Sequence, residues 1–136
     1  MNQTDLPEEV LKGIQLFNQA QFFAAHEALE NAWRAEEGTV RFLYQGILQV
    51  GVGCYHIQRG NYLGAEHLFK RALKLLDPFA PNPHGIDLVT LIQDTSQLKQ
   101  FVERALRVPS EHYETPAFPQ IRFLKDKLQF LMENIV

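Results

Sequence analysis

The sequence predicts an all-α protein, a compact bundle of about six helices. Apolar residues recur three and four positions apart along nearly the whole chain, which is the spacing of one helix face. Glycine and proline residues fall between these segments, and no run alternates apolar and polar residues as a half-buried strand does. Because 136 residues is the length of one domain, we expect residues 1–136 to form a single helical domain.

The helices can be placed in chain order from capping residues and breakers. The first is expected to open at Asp5 as N-cap, with Pro7 in its first turn. The others are expected at 22–36, 40–59, 62–76, from 86 or 87 to 106, and at 119–135. Asp87 falls at the start of the fifth helix and is expected to cap it. A proline-rich connector, 108–119, separates the last two.

The third predicted helix is apolar nearly all round, which is typical of the most enclosed helix in a bundle. It contains Gly46, Gly51 and Gly53, and each glycine weakens an exposed helix by about 1 kcal/mol relative to alanine. A close approach by neighbouring helices explains such residues. We therefore expect this helix at the centre.

An internal repeat organises the first half of the chain. Residues 20–33 (AQFFAAHEALENAW) align with residues 60–73 (GNYLGAEHLFKRAL) through shared aromatic, alanine and apolar positions. The second copy is similar to a tetratricopeptide unit, but the offset exceeds the ~34-residue period of tetratricopeptide arrays, which favours a compact bundle. We expect a core of two tetratricopeptide-like antiparallel hairpins in residues 1–77, followed by C-terminal helices in 78–136.

The last predicted helix carries more apolar residues than one narrow seam requires. They are Ile121, Phe123, Leu124, Leu128, Phe130, Leu131 and Ile135. This helix is expected either to close the bundle or to form a homodimer contact, and the sequence leaves both open.

Charge and composition exclude several classes of protein. The formal net charge is −3 and the basic residues are scattered, which does not fit nucleic-acid binding. No stretch reaches the roughly 18 consecutive apolar residues of a membrane helix, and the first residues lack the features of a signal peptide. Cys54, the single cysteine, fits a reducing compartment. We expect a cytoplasmic protein that binds neither nucleic acid nor membranes.

Two rows of polar residues interrupt the apolar pattern. The second helix carries His26, Glu27, Glu30 and Trp33, and the third carries Arg41, Gln45, Gln49 and His56. Residues three, four or seven apart share a helix face, and helices joined by a short loop pack antiparallel. The rows are therefore expected to face each other, with Trp33 near Arg41 and His26 nearer Gln49 and His56.

Three interpretations of these rows remain open. They form a buried hydrogen-bond network in which Arg41 neutralises a carboxylate, because buried polar groups need partners. Alternatively, His26, Glu30 and His56 bind a divalent metal, since His and Glu four apart on a helix can share a cation. In the third interpretation they line a small-molecule pocket, with Glu27 or Glu30 as base and Arg41 binding an anion. No other cofactor is predicted.

These residues also carry a family resemblance. The run H-E-x-x-E-x-x-W from His26, the run Q-G-x-x-Q from Gln45, and His56 followed by a Gly-Asn turn resemble the family called domain of unknown function 309. The resemblance covers roughly residues 10–77. It implies a compact helical bundle with tetratricopeptide-like packing, and it brings no established activity.

The sequence supports two functional hypotheses. The first is a helical binding or scaffolding module whose polar rows accept a small molecule or a peptide of a protein partner. The second is an enzyme, in one form a metal-dependent hydrolase, that uses His26, Glu27, Glu30 and His56.

Overall fold

The computed structural model describes residues 5–109 and 112–124, and within them it contains five α-helices and no strand. The helices are α1 (Glu8–Asn18), α2 (Phe22–Ala35), α3 (Arg41–Gln58), α4 (Tyr62–Leu76) and α5 (Leu88–Arg107). The predicted all-α class is confirmed. In the described residues no helix is long and apolar enough to cross a membrane.

Each helix packs on the next along the chain, so α1 lies on α2, α3 lies between α2 and α4, and α5 covers α4. The central position of α3 is confirmed, since half of its 18 residues are buried. Its glycines allow this packing. A Cβ at Gly46 would lie 2.6 Å from a methyl carbon of Leu76, and one at Gly53 would overlap the ring of Phe69, both on α4.

The turns after α1 and α3 have the same geometry. Ala20 and Gly60 both have positive φ, 58° and 75°. Each turn also closes with the same backbone hydrogen bond: the amide of Gln21 donates to Leu16, and that of Asn61 to His56. This similarity agrees with the predicted repeat.

The N-cap residue agrees with the prediction for α5 and differs from it for α1. The Asp87 carboxylate caps α5 by accepting from the Thr90 amide at 3.1 Å, as its position before a helix predicts. Asp5 is not the N-cap of α1. That position is held by Pro7, with no side-chain capping bond.

The predicted sixth helix is wrong over residues 119–124, which are not helical, and the rest of it lies outside the described residues. The reason is that other elements bind this backbone. The Asn18 side chain donates to the carbonyl of Ile121 at 2.8 Å and accepts from its amide at 2.7 Å. The amide of Leu124 donates to the Gly85 carbonyl at 2.7 Å. The predicted dimer contact through this helix also falls mainly outside the described residues.

The proline-rich connector packs on the bundle through aromatic residues. Phe118 contacts Phe22 of α2 edge to face, with ring centroids 5.2 Å apart. Tyr113 contacts Phe101 of α5 in the same way at 6.2 Å.

Candidate functional site

The two polar rows meet in a shallow cleft between α2 and α3. The cleft has a volume of about 140 Å³ and is lined by His26, Glu30, Trp33, Gln45, Leu48 and Gln49. The side chains of His26 and Glu30 are each 31% exposed, so solvent reaches the cleft. Five of the six lining residues belong to the two predicted polar rows, and Leu48 is the sixth.

Glu30 lies at the centre of the α2 side of the cleft. Its carboxylate pairs with one side chain before it and one after it on the helix. Its carboxylate lies 3.2 Å from His26 Nε2 and 2.7 Å from an Arg34 guanidinium nitrogen. Both partners are four residues away on the same helix, which is the spacing that lets ion pairs form along a helix face. Arg34 was not predicted, although the same spacing rule identifies it.

Next to the cleft, Arg41 stacks on Trp33, which lines it. The guanidinium carbon of Arg41 lies 4.6 Å from the centroid of the Trp33 ring. Such a cation–π contact fixes both side chains and agrees with the predicted proximity of these two residues. No carboxylate of the described residues lies within ion-pairing distance of Arg41, so its predicted role in neutralising a carboxylate is wrong.

Three polar atoms of this region are buried without a hydrogen-bond partner. They are the donors Trp33 Nε1 and Arg41 Nε and the acceptor Gln49 Oε1. Leaving a buried polar group unpaired costs about 1–3 kcal/mol. Among the described residues, neither Gln45 nor Gln49 bonds to a histidine or glutamate of the rows, so the predicted network does not form.

Three of the predicted residues do not line the cleft: Arg41 is stacked on Trp33 outside the lining, and Glu27 and His56 lie elsewhere. Glu27 is exposed and does not line it. His56 lies at the end of α3 beside the next turn, where its Nδ1 is 3.4 Å from Asn61 Nδ2. The described residues contain no group of three His, Cys, Asp or Glu placed to hold a metal ion. In this arrangement His56 does not lie together with His26 and Glu30.

The cleft opens at one end onto residues that the sequence reasoning missed. Phe23 is 6.0 Å from His26 and 5.9 Å from Tyr55, between ring centroids. The Arg59 guanidinium lies over Tyr55, 5.6 Å from the ring centroid. We call the row of contacting side chains from Arg41 and Trp33, through the cleft, to Phe23, Tyr55 and Arg59 the α2/α3 groove.

The signal for the groove is present in the sequence. Positions 41, 45, 48, 55 and 59 lie three, four or seven apart and form one face of α3. A search for polar residues alone on α3 selects His56 and passes over Tyr55. The apolar and aromatic members of the same face, Leu48 and Tyr55, do not stand out in a helix that is apolar nearly all round.

Residues 10–68 match the model of a family described as Domain of unknown function (DUF309). The family resemblance is confirmed for this segment. The DUF309 segment extends from α1 into the first half of α4 and contains the entire α2/α3 groove. No curated protein gives a significant match to the chain.

Proposed function

We propose that the protein is a helical binding or scaffolding module whose α2/α3 cleft accepts one polar side chain of a peptide or protein partner. The observation that carries this proposal is the pair of unpaired buried atoms on two residues that line the cleft, Trp33 and Gln49, with a third such atom on Arg41, which stacks on Trp33. Two donors and one acceptor suit a group that both accepts and donates, such as a carboxamide. Pairing them on binding would recover free energy that the free protein lacks.

The size of the cleft favours a side chain over a whole small molecule. Pockets for drug-sized ligands usually enclose about 300–1,000 Å³. The cleft measures about 140 Å³, which at ~30 Å³ per molecule is about five waters. It is wide enough for one amide group, and the remainder of a ligand would lie outside it.

The helices that carry the cleft also support binding. Its residues stand on two helices, and the stack of Arg41 on Trp33 holds two of the three unpaired atoms in place. A site on helices loses less conformational freedom on binding than a site on loops. Cytoplasmic location is part of the proposal, because a single buried cysteine needs no oxidising compartment.

A hydrolase is the second candidate, and the His26–Glu30 pair favours it. A carboxylate 3.2 Å from a histidine can orient that histidine as a general base. This pair would also supply the protein ligands if a divalent metal takes part. No serine, threonine, cysteine or lysine is among the described residues that line the cleft, so water would have to be the nucleophile. In this case Glu30→Gln abolishes turnover, whereas a binding module has no turnover to lose.

Replacing Gln49 by Met separates a binding site from a structural network. Methionine has a similar shape and removes the unpaired acceptor, so we expect the free energy of unfolding to rise by about 1 kcal/mol. Urea denaturation followed by circular dichroism measures this change. Gln93→Met, at an exposed position of α5, is the matched control and is expected to change stability by less than about 0.5 kcal/mol.

The same variant is then tested for binding. The probe is an array of random peptides of about twelve residues, long enough to cross the groove in extended form. We expect wild type and Gln93→Met to bind the same subset of peptides, and Gln49→Met to lose it. A less stable Gln49→Met protein with unchanged array binding would mean that Gln49 is structural and would overturn the proposal.

A further inference from the structure

The exposed end of the α2/α3 groove carries an aromatic surface next to an arginine. Phe23 is 58% exposed, although it lies in ring contact with Tyr55. Arg59 also lies over the Tyr55 ring and donates to its hydroxyl at 3.3 Å. Aromatic residues and arginine are the side chains that most often dominate binding energy at protein interfaces.

The charges of the groove are unbalanced in the positive direction. Within the described residues, Arg59 at one end and Arg41 at the other have no carboxylate within ion-pairing distance. Arg34, which follows Trp33 at the end of α2, differs, because Glu30 neutralises it at 2.7 Å. The whole chain has a formal net charge of −3, whereas the two charges without an ion-pair partner at the ends of the groove are both positive. Such a surface attracts an acidic partner more than a basic one.

The separation of the two arginines sets the length of this partner. Residues 41 and 59 are separated by about 27 Å along α3, at a rise of about 1.5 Å per residue. About eight residues of extended chain cover that distance. Two isolated arginines at this spacing differ from the dense basic patch that a nucleic-acid backbone requires.

We propose that the groove recognises an acidic peptide segment with an aromatic anchor. The anchor ring packs against Phe23 and Tyr55, and flanking carboxylates pair with Arg59 and Arg41. This inference rests on the proposed function, because the polar side chain of the same segment enters the cleft. It adds the chemical class of the partner.

Three pools of peptides of about twelve residues test the partner class. The first combines Asp and Glu with Phe, Tyr and Trp; the second keeps the acids and replaces the aromatics by Ala; the third replaces the acids by Lys. Every pool also contains Asn, Gln, Gly and Ser. We expect the acidic aromatic pool to bind best, and its binding to weaken as salt rises, since salt screens charge pairs. Preference for the basic pool, or for single-stranded oligothymidylate, overturns the inference.

Matched variants locate the contacts. Phe23→Ser and Arg59→Gln are each expected to weaken binding of the acidic aromatic pool by about tenfold or more. The controls are Leu63→Ser, which has the same 58% exposure in a different cleft, and Arg71→Gln, an exposed arginine on α4. Both controls are expected to change binding by less than about twofold. Circular dichroism verifies that each variant is folded.

The outcomes separate this inference from the proposed function. If Gln49→Met loses binding but Phe23→Ser and Arg59→Gln do not, the cleft binds its partner and the acidic aromatic class is wrong. If Phe23→Ser and Arg59→Gln lose binding but Gln49→Met does not, the groove binds such peptides without using the cleft, and the proposed function is wrong. If no pool binds, both are wrong.

Discussion

Replacing Asn18 by Ala is expected to lower the free energy of unfolding by about 2–4 kcal/mol, since two hydrogen bonds to a buried backbone are lost. The Asn18 amide bonds both the amide and the carbonyl of Ile121, which is 2% exposed. Alanine leaves both groups without this partner. Urea denaturation followed by circular dichroism measures the loss.

Gln19→Ala is the control for this variant, because Gln19 is exposed on the same turn. It is expected to change stability by less than about 0.5 kcal/mol. Limited proteolysis gives a second readout, since release of Ile121 exposes the segment 116–122 to cleavage in Asn18→Ala before the helices unfold. Equal stability and equal proteolysis of the two variants would show that Asn18 does not hold the C-terminal segment.

Replacing Gly53 by Ala is expected to lower the free energy of unfolding by about 1–3 kcal/mol, the usual effect of overfilling a packed interior. The new Cβ would overlap the ring of Phe69, which is fully buried on α4. Gly51→Ala is the matched control on the same helix. Its Cβ would meet Phe17 at 3.4 Å, an ordinary contact distance. Because alanine favours a helix by up to about 1 kcal/mol, this control should be neutral or stabilising.

A double variant tests the cause of the Gly53 effect. If the Phe69 ring is responsible, Phe69→Leu should relieve part of the overlap, and the loss in the double variant should be smaller than the sum of the single losses. Additive losses, or equal effects of Gly51→Ala and Gly53→Ala, would contradict close packing of α3 against α4 at Gly53.

The helices were predictable because their signals are local. Apolar spacing placed α2 to α4 to within two residues, and the cap at Asp87 follows from residue type before a helix. The C-terminal segment was mispredicted for a nonlocal reason. Its apolar residues have helical spacing, but Asn18, about a hundred positions away, binds the backbone of Ile121. The sequence of residues 119–124 alone does not indicate that Asn18 hydrogen-bonds to them.

The location of the cleft between α2 and α3 was predictable from the sequence, but only some of the residues that line it were. Spacing of three and four placed His26, Glu30 and Trp33 on one face, and the short loop brought Trp33 to Arg41. The pairing of the side chains was not predictable, since the stack of Arg41 on Trp33 depends on rotamers. The metal hypothesis added His56 because it is polar and seven residues from Gln49, whereas Tyr55 lies on the side of α3 that contacts Phe23.

The most direct test of the cleft uses Trp33, the single tryptophan of the chain. Its indole N–H gives one resonance in a ¹H–¹⁵N spectrum, and this group is one of the three unpaired atoms. The peptide that binds best on the random array is titrated into labelled protein. If the cleft accepts a polar side chain, the indole proton moves downfield, as a new hydrogen bond requires, and the shift saturates with the peptide. An indole resonance that stays in place while the peptide saturates the protein would contradict binding in the cleft.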